Sequence, residues 1–226
     1  SFGSILVTGG AGFMGSSFCR FLLSTPEFRG RVINIDALTY AGDPDNVSKF
    51  VPNLEPERYR FIEADICNRE VVTTVLREEQ VDCIVNFVAE SHVDRSIADP
   101  FSFAKTNLLG TLTLLEEARK LWKGKGEVLF HQISTDEVFG SCGEGMEYLE
   151  GDPYNPSSPY AASKAGADHL VRAFAKTYDL PFTITHSCNN FGPCQTPEKL
   201  IPLAITRLLN GQRVPVYGTG ENVREW

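Results

Sequence analysis

The chain has 226 residues, of which 42% are apolar and 22% are charged, with 29 acidic against 21 basic residues and a formal net charge of −8. This composition is typical of an ordinary globular domain and excludes collagen-like, coiled-coil and disordered chains. No run of Lys and Arg could neutralise a phosphate backbone, so a nucleic-acid partner is not expected.

Short apolar runs alternate along the chain with segments of helical spacing. Strands are predicted at residues 5–7, 32–35, 60–62, 83–88, 128–133, 182–185 and 214–217. Most of these runs have the continuous hydrophobicity of strands that are buried on both faces. Apolar residues with helical spacing lie between them, around residues 18–22, 71–76, 108–118 and 161–175. The alternation predicts an α/β fold with a parallel sheet.

Two features depart from this alternation. Residues 140–159 are rich in Gly, Glu, Pro, Asn and Ser without periodicity, and we predict a long loop there. The chain ends at Trp226, shortly after a predicted strand and a Gly-Thr-Gly turn, and Ser1 stands where an initiator Met is expected. We therefore expect the chain to be a fragment or a truncated form.

The first predicted strand leads into a glycine turn and then a helix. Gly9, Gly12 and Gly15 fit the pattern GxxGxxG, and Gly10 with the last two fits GxGxxG. Glycines let the backbone approach a pyrophosphate closely, and the N-terminus of the following helix offers N–H groups and a partial positive charge. The pattern therefore predicts a dinucleotide site.

An acidic residue decides which dinucleotide is expected. Asp36 follows Gly15 by 21 positions and ends the next strand, where its carboxylate can accept both hydroxyls of an adenosine ribose. It would repel a 2′-phosphate, and no Arg or Lys stands at 37–42 to attract one. NAD is therefore expected rather than NADP, and an Asp36 that only caps its turn is the alternative.

Two later motifs carry residues suited to catalysis. Tyr160 and Lys164 lie four apart on one face of a helix that Pro159 would open. An ammonium near a phenol favours the phenolate, which lets a tyrosine act as a base near neutral pH. Residues 134–137, Ser-Thr-Asp-Glu, end a predicted central strand, where open α/β sheets place their ligands.

With these motifs the chain resembles the extended short-chain dehydrogenase/reductase superfamily and, within it, the nucleotide-sugar 4,6-dehydratases, most closely those that act on dTDP-glucose. The matching motifs run in order along almost the whole chain: TGGAGFMG (8–15), DALTYAG (36–42), ADI (64–66), AESHVD (89–94), TN (106–107), STDE (134–137), YAASK (160–164), NNFGP (189–193) and PEKLIP (197–202). The Thr-Asp-Glu part is specific, because the sibling epimerases and decarboxylases carry other residues there.

The resemblance implies how the chain is organised. Residues 1–187 are expected to form a Rossmann-type doubly wound parallel sheet that binds NAD and carries the catalytic residues. Residues 188–226 are expected to begin a smaller substrate-binding domain that is largely missing from this chain. A homodimer is expected from the resemblance alone, through helices at about 100–122 and 158–178.

The resemblance also implies a dehydration in which NAD is regenerated. Tyr160, paired with Lys164, takes the C4 hydroxyl proton of a nucleoside-diphosphate glucose while the C4 hydride passes to NAD⁺, and Thr135 bonds that oxygen. Glu137 then removes the C5 proton, Asp136 protonates the departing C6 hydroxyl, and the hydride returns to C6. Burial and the neighbouring charge are expected to raise the pKa of Asp136, so that it can act as the acid.

Further residues are assigned to binding by the resemblance. Those expected at the NAD site are Gly9, Gly12, Phe13, Met14, Gly15, Asp36, Leu38, Thr39, Asp65, Ile66, Val88, Ala89, Thr106, Tyr160, Lys164 and Asn190. Those expected to hold the nucleotide sugar are Ser91, Thr135, Asn189, Lys199, Leu200, Val216, Tyr217 and Arg224.

Two other functions stay open at this point. A nucleotide-sugar epimerase or decarboxylase would share the scaffold, and a catalytically silent NAD-binding protein would share the glycine turn. Asp136 and Glu137 argue against the first, and the joint presence of these two acids with Thr135, Tyr160 and Lys164 argues against the second. The two acids would alternatively be caps of the loop after their strand.

Spacing argues against several other kinds of site. No uncharged apolar stretch approaches the roughly 18 residues of a membrane span, and no basic flank of a signal peptide is present. The four histidines lack metal-binding spacing, so no metal is expected. The six cysteines form no CxxC pair, which favours reduced thiols and a cytoplasmic protein.

Overall fold

The structure is a computed structural model that describes residues 2–52, 54–143, 145, 147–216, 218–221, 223 and 226. Its strands are β1 (Ser4–Thr8), β2 (Arg31–Asp36), β3 (Tyr59–Glu63), β4 (Cys83–Asn86), β5 (Leu129–Thr135) and β6 (Phe182–Ser187). They pair in parallel in the order β3-β2-β1-β4-β5-β6. The predicted α/β fold with a doubly wound parallel sheet is confirmed. The strand order reverses between β1 and β4, which is where such sheets bind their ligands.

Helices cover both faces of this sheet. They are α1 (Phe13–Ser24), α2 (Asp45–Ser48), α3 (Arg69–Glu78), α4 (Val93–Ala98), α5 (Pro100–Phe103), α6 (Thr111–Leu121), α7 (Pro159–Tyr178) and α8 (Leu200–Leu209). A π-helical segment, Ala104–Gly110, joins α5 to α6, and a 3-10 turn, Asp136–Phe139, follows β5. Within the described part of the chain, none of these helices is long and apolar enough to cross a membrane.

Two apolar clusters fix the central strands between the helical layers. Leu6 of β1 belongs to a buried cluster with Leu76 of α3 and Leu114 of α6. The next residue, Val7, points to the other face and belongs to a cluster with Cys19 of α1. Full burial of each such aliphatic side chain stabilises the fold by about 1.5–3 kcal/mol. Because β1 is buried on both faces, the glycine turn that follows it is held firmly in place.

The outer strands and the C-terminal segment differ from the predictions. β3 and β6 are partly exposed, because each lies at an edge of the sheet and has one neighbour. The strand predicted at 83–88 ends at Asn86. Residues 214–216 form no strand, and Tyr217 of the same predicted strand lies outside the described residues. An apolar run becomes a strand only where a sheet edge is available to pair with it.

Candidate active site

A cleft of about 530 Å³ opens at the carboxyl ends of the central strands. Its walls come from the glycine turn after β1, the segments after β2 and β4, the turn after β5, the first turns of α7, and residues 187–200. The cleft therefore lies at the reversal of strand order, where a ligand was expected.

The glycine turn is packed too closely for side chains. Gly9 has φ +72°, and a Cβ there would lie 2.9 Å from the backbone nitrogen of Val88. A Cβ on Gly15 would collide with the carbonyl oxygen of Gly9 and lie 2.9 Å from Cα of Gly10. Helix α1 begins after Gly12 without a side-chain cap, and its first residues, Phe13, Met14 and Gly15, line the cleft. This bare helix N-terminus suits an anionic ligand.

Asp36 connects the end of β2 to this turn. Its Oδ2 accepts a hydrogen bond from the Ala11 N–H at 3.0 Å, and its Oδ1 accepts one from the Leu38 N–H at 2.9 Å. Burial raises the pKa of this carboxyl, and the backbone N–H donors partly oppose that rise. Asp36 therefore does cap the turn that follows it, which was the alternative role considered for this residue. The carboxylate also lines the cleft, and two oxygens carry enough lone pairs to accept further donors.

Tyr160 and Lys164 reach the cleft from the start of α7. The helix opens with Pro159 in its first turn, and Ser158 caps it by accepting a hydrogen bond from the Ala161 N–H at 3.0 Å. Tyr160 is 8% exposed and Lys164 is 3% exposed. The Lys164 ammonium donates to the carbonyl oxygen of Ile133 at 2.6 Å, which ties α7 to β5.

The electrostatics of this pair differ from the prediction. Burial raises the pKa of the Tyr160 phenol, and the charge of Glu137 raises it further, while a hydrogen bond with Thr135 opposes the rise. Burial lowers the pKa of Lys164 to about 8, and the charge of Asp168 opposes that change. The expectation of a phenolate near neutral pH is not met for Tyr160 in this structure, because burial and the charge of Glu137 outweigh the effects that lower the pKa of the phenol. Near neutral pH the lysine is mostly charged and the phenol is neutral.

Asp136 and Glu137, hereafter the acid pair, form the first turn after β5. Thr135 caps this turn by accepting a hydrogen bond from the Glu137 N–H at 3.3 Å, and its hydroxyl donates to Asp136 Oδ1 at 3.1 Å. Both acids line the cleft, but both are exposed. The expectation that Asp136 is buried is wrong, because the short turn projects its side chain from the sheet edge toward the open cleft.

Most residues predicted for binding surround this one cleft. The predicted NAD-site residues that line it are Gly9, Gly12, Phe13, Met14, Gly15, Asp36, Thr39, Asp65, Ile66, Val88, Ala89, Thr106, Tyr160, Lys164 and Asn190. The predicted sugar-site residues that line it are Ser91, Thr135, Asn189, Lys199 and Leu200.

Two predicted binding residues do not line the cleft. Leu38 does not line the cleft; it has φ +48° and contributes its backbone N–H to Asp36. Val216 is 71% exposed and lies away from the lining. Tyr217 and Arg224 lie outside the described residues.

A family comparison bears on this site. The sequence model of the family described as GDP-mannose 4,6 dehydratase matches residues 6–226. The chain belongs to this family. It is 47% identical to dTDP-glucose 4,6-dehydratase of Escherichia coli, over 98% of this chain and 64% of that protein. It is 51% identical to the low-salt glycan biosynthesis protein Agl12 of Haloferax volcanii, over 98% of this chain and 68% of that protein.

Solved structures of similar proteins share its fold. The dTDP-glucose 4,6-dehydratase DesIV of Streptomyces venezuelae, crystallised with NAD bound, has a TM-score of 0.88 and 48% identity, covering 99% of this chain and 67% of that one. A UDP-glucose 4-epimerase of Thermotoga maritima has a TM-score of 0.85 and 30% identity, covering 98% of this chain and 68% of that one. The predicted resemblance to dTDP-glucose 4,6-dehydratases is confirmed, and this chain spans about two thirds of the length of these relatives.

Several lining residues were not predicted. They include Tyr40, Ala41, Gly42, Glu90, Ser134, Ser187, Cys188, Gln195 and Thr196. Most are immediate neighbours of predicted residues in the motifs at 36–42, 89–94, 134–137 and 189–193. The motifs themselves were the available signal, since residues next to a strand end share its edge of the sheet.

Proposed function

We propose that the chain is the cofactor-binding and catalytic part of a dehydratase that uses NAD to convert dTDP-glucose to its 4-keto-6-deoxy derivative. One observation carries this proposal: Thr135, the acid pair, Tyr160 and Lys164 line the same cleft as the glycine turn. Residues 1–187 would form the NAD-binding domain, and residues 188–226 would begin the substrate-binding part. This division accords with a chain that covers 64% of its Escherichia coli relative.

The residues around the glycine turn fit NAD. The turn leaves no room for a Cβ at Gly9 or Gly15, α1 has no side-chain cap, and the Asp36 carboxylate lines the cleft beyond the turn. A pyrophosphate would take the N–H groups at the start of α1, and an adenosine ribose would take Asp36. NAD, when bound, would supply the acceptor for the C4 hydride and the donor for its return to C6.

Tyr160 would act on the C4 hydroxyl of the sugar. Its buried phenol has a raised pKa, so positive charge nearby is needed to stabilise the phenolate, which is the form that accepts the proton. The ammonium of Lys164, mostly charged below its pKa of about 8, supplies that charge one helical turn away. Thr135, which hydrogen-bonds Tyr160, would hold the same sugar oxygen. Loss of hydrogen from C4 leaves a ketone, which acidifies the hydrogen on C5.

The acid pair would then remove water across C5 and C6. Glu137 would take the C5 proton, and Asp136 would give a proton to the departing C6 hydroxyl. The Thr135 hydroxyl donates to Asp136 Oδ1 and so orients that carboxyl. Because both side chains are exposed to the cleft, either can reach a bound sugar.

Mass spectrometry tests this reaction. The protein is incubated with dTDP-glucose and NAD without added reductant, and we expect a product lighter by one water. An epimerase would leave the mass unchanged, a decarboxylase acting on a sugar acid would not convert this substrate, and a silent NAD-binding protein would leave the substrate intact. Unconverted substrate, or a new sugar of unchanged mass, overturns the proposal.

A variant of the acid pair tests the assigned roles. Asp136→Asn cannot protonate the C6 hydroxyl, and we expect dehydration to slow by at least about 100-fold, the usual contribution of a general acid. Asp179→Asn serves as the matched control, because Asp179 is exposed beyond the end of α7 in a left-handed conformation that Asn also tolerates. Wild-type turnover by Asp136→Asn would remove Asp136 from the mechanism.

We also propose that two copies pair through the helical segments at about 100–122 and 158–178. Exposed apolar side chains near the first segment support this pairing: Ile97 is 66% exposed, Phe101 85% and Leu109 51%. Such a patch favours burial against another surface. Sedimentation velocity of the protein should show a dimer, and a monomer at all concentrations would overturn this assignment.

A further inference from the structure

A third polar residue lies on the buried side of α7, one helical turn beyond Lys164. The Asp168 side chain is 0% exposed. Its Oδ2 accepts hydrogen bonds from Ser134 Oγ at 2.6 Å and from the Tyr154 hydroxyl at 3.2 Å, and it lies 3.4 Å from His186 Nε2. Its Oδ1 has no hydrogen-bond partner among the described residues. Burying a carboxylate is costly, so this placement calls for a compensating role.

Asp168 joins the two elements that carry the proposed catalytic groups. Ser134, which it holds, directly precedes Thr135 at the end of β5. Lys164 donates to the carbonyl oxygen of Ile133, the next residue back along the same strand. Two adjacent cross-links therefore fix α7 against the end of β5. They set the position of the α7 side chains relative to the turn that carries the acid pair.

Asp168 also acts on the charge of Lys164. Asp168 and Lys164 lie four residues apart on α7 and are both buried, so the negative charge of Asp168 opposes the effect of burial on the ammonium. The other titratable or charged groups on this side are Tyr160, His169 and Arg172 on α7, the acid pair after β5, Tyr154 in the loop before α7 and His186 on β6. From the helical segment 104–110, the neutral Asn107 faces α7 and donates to Ser163 Oγ at 2.8 Å.

We propose that Asp168 is a positioning residue of this site: its carboxylate holds the end of β5 against α7 through Ser134 and supplies the counter-charge for the Lys164 ammonium. Its catalytic consequence rests on the proposed function. Its effect on Lys164 does not, because the ionisation of a lysine can be followed in a protein that turns nothing over.

The charge is tested with Asp168→Asn, which keeps the shape and an acceptor oxygen for Ser134. The pH titration of Lys164 is followed by carbon-13 NMR of lysine-labelled protein, with Lys164→Arg to assign its signal. We expect the Lys164 titration to move to lower pH by about one unit or more, and the alkaline limb of dehydration to move with it. If Asp168 had only a structural role, Asp168→Asn would lower the melting temperature and leave both titrations unchanged. That result would overturn the proposal.

The cross-link is tested with Ser134→Ala, which keeps the charge. We expect kcat to fall by about tenfold, KM for the sugar nucleotide to stay unchanged, and Lys164 to titrate as in the wild type. Ser48→Ala on the exposed face of α2 is the control and should match the wild type. An unchanged kcat in Ser134→Ala would overturn the positioning role, and this result decides the matter even if Asp168→Asn does not fold. If the protein proves inactive but Lys164 shifts in Asp168→Asn, the proposed function fails while the counter-charge stands.

Discussion

Single backbone atoms decide whether the glycine turn can form. At Gly15 the nearest atoms to an added Cβ are the carbonyl oxygen and carbon of Gly9 and Cα of Gly10, all of them main chain. A flexible side chain could rotate away from a new methyl group, but these atoms cannot move without opening the turn. The close approach of α1 to β1 therefore depends on glycine at this position.

Gly15→Ala should abolish NAD binding and lower the free energy of unfolding by about 1–3 kcal/mol, the usual cost of overpacking. Calorimetric titration with NAD and urea denaturation measure the two effects. Gly126→Ala is the matched control, because a Cβ there meets nothing within 4 Å. It should keep NAD binding and change stability by less than about 0.5 kcal/mol. If Gly15→Ala bound NAD as the wild type does, the turn would not be the cofactor site.

Lys164 gives the fold a distinct pH dependence. Its pKa falls from 10.5 to about 8, mainly because the ammonium is buried. Between those two values the unfolded chain holds a proton that the folded chain has released. Stability therefore rises with pH through this window, by about 3 kcal/mol in all for this residue.

Lys164→Met has no ammonium to titrate at this position, so its free energy of unfolding should not show this increase between pH 8 and pH 10.5. Urea denaturation of both proteins just below pH 8 and near pH 10 measures the difference, since the two proteins have the same titratable residues apart from Lys164. We also expect the variant to lose turnover, because the charge beside Tyr160 is gone. Equal pH dependence of unfolding in the two proteins would show that Lys164 keeps its ordinary pKa when folded.

At the scale of elements, the sequence predicts most of the sheet and less of its surroundings. The runs in β1, β2, β4 and β5 are rich in apolar residues, and these strands are largely buried. The runs in β3 and β6 look similar in sequence but lie at the edges, because burial depends on which strands pair alongside. The run at 214–216 pairs with no strand in the described structure and is mostly exposed.

The same limit applies to the site. Thr135, the acid pair, Tyr160 and Lys164 were predicted because each lies in a short motif at the end of a strand or the start of a helix. Asp168 was not predicted, because its partners Ser134 and Tyr154 are 34 and 14 residues away in the chain and no local sequence pattern links them to it. The exposure of Asp136 was missed because a sequence does not reveal which way a turn projects.

Ser158 tests whether α7 depends on its cap. Its side chain accepts the Ala161 N–H at 3.0 Å, one of the donors that the first turn cannot satisfy internally. Ser158→Ala should therefore lower the free energy of unfolding by about 1 kcal/mol, and Ser158→Asp, which keeps an acceptor, should recover most of it. Urea denaturation checks both variants. A fully stable Ser158→Ala would mean that Pro159 alone suffices to start the helix.

At the scale of the whole molecule, an acidic chain has to hold an anionic ligand. The net charge of −8 repels a diphosphate, and the cleft itself contains Asp36, Asp65, Glu90 and the acid pair. Backbone N–H groups at the start of α1, together with Lys164 and Lys199, are the donors and cations on its walls that can offset this repulsion. The glycine turn and the proposed catalytic groups therefore lie in one cleft whose N–H donors and lysines can hold an anion.

The fate of the hydrogen on C4 tests the proposed reaction most directly. dTDP-glucose carrying deuterium at C4 is incubated with the protein and NAD, and NMR locates the label in the product. We expect deuterium at C6 of a 4-keto-6-deoxy sugar, because the hydride taken from C4 returns within the same cleft. Deuterium that remains at C4, or that leaves the sugar altogether, would contradict the proposed dehydration.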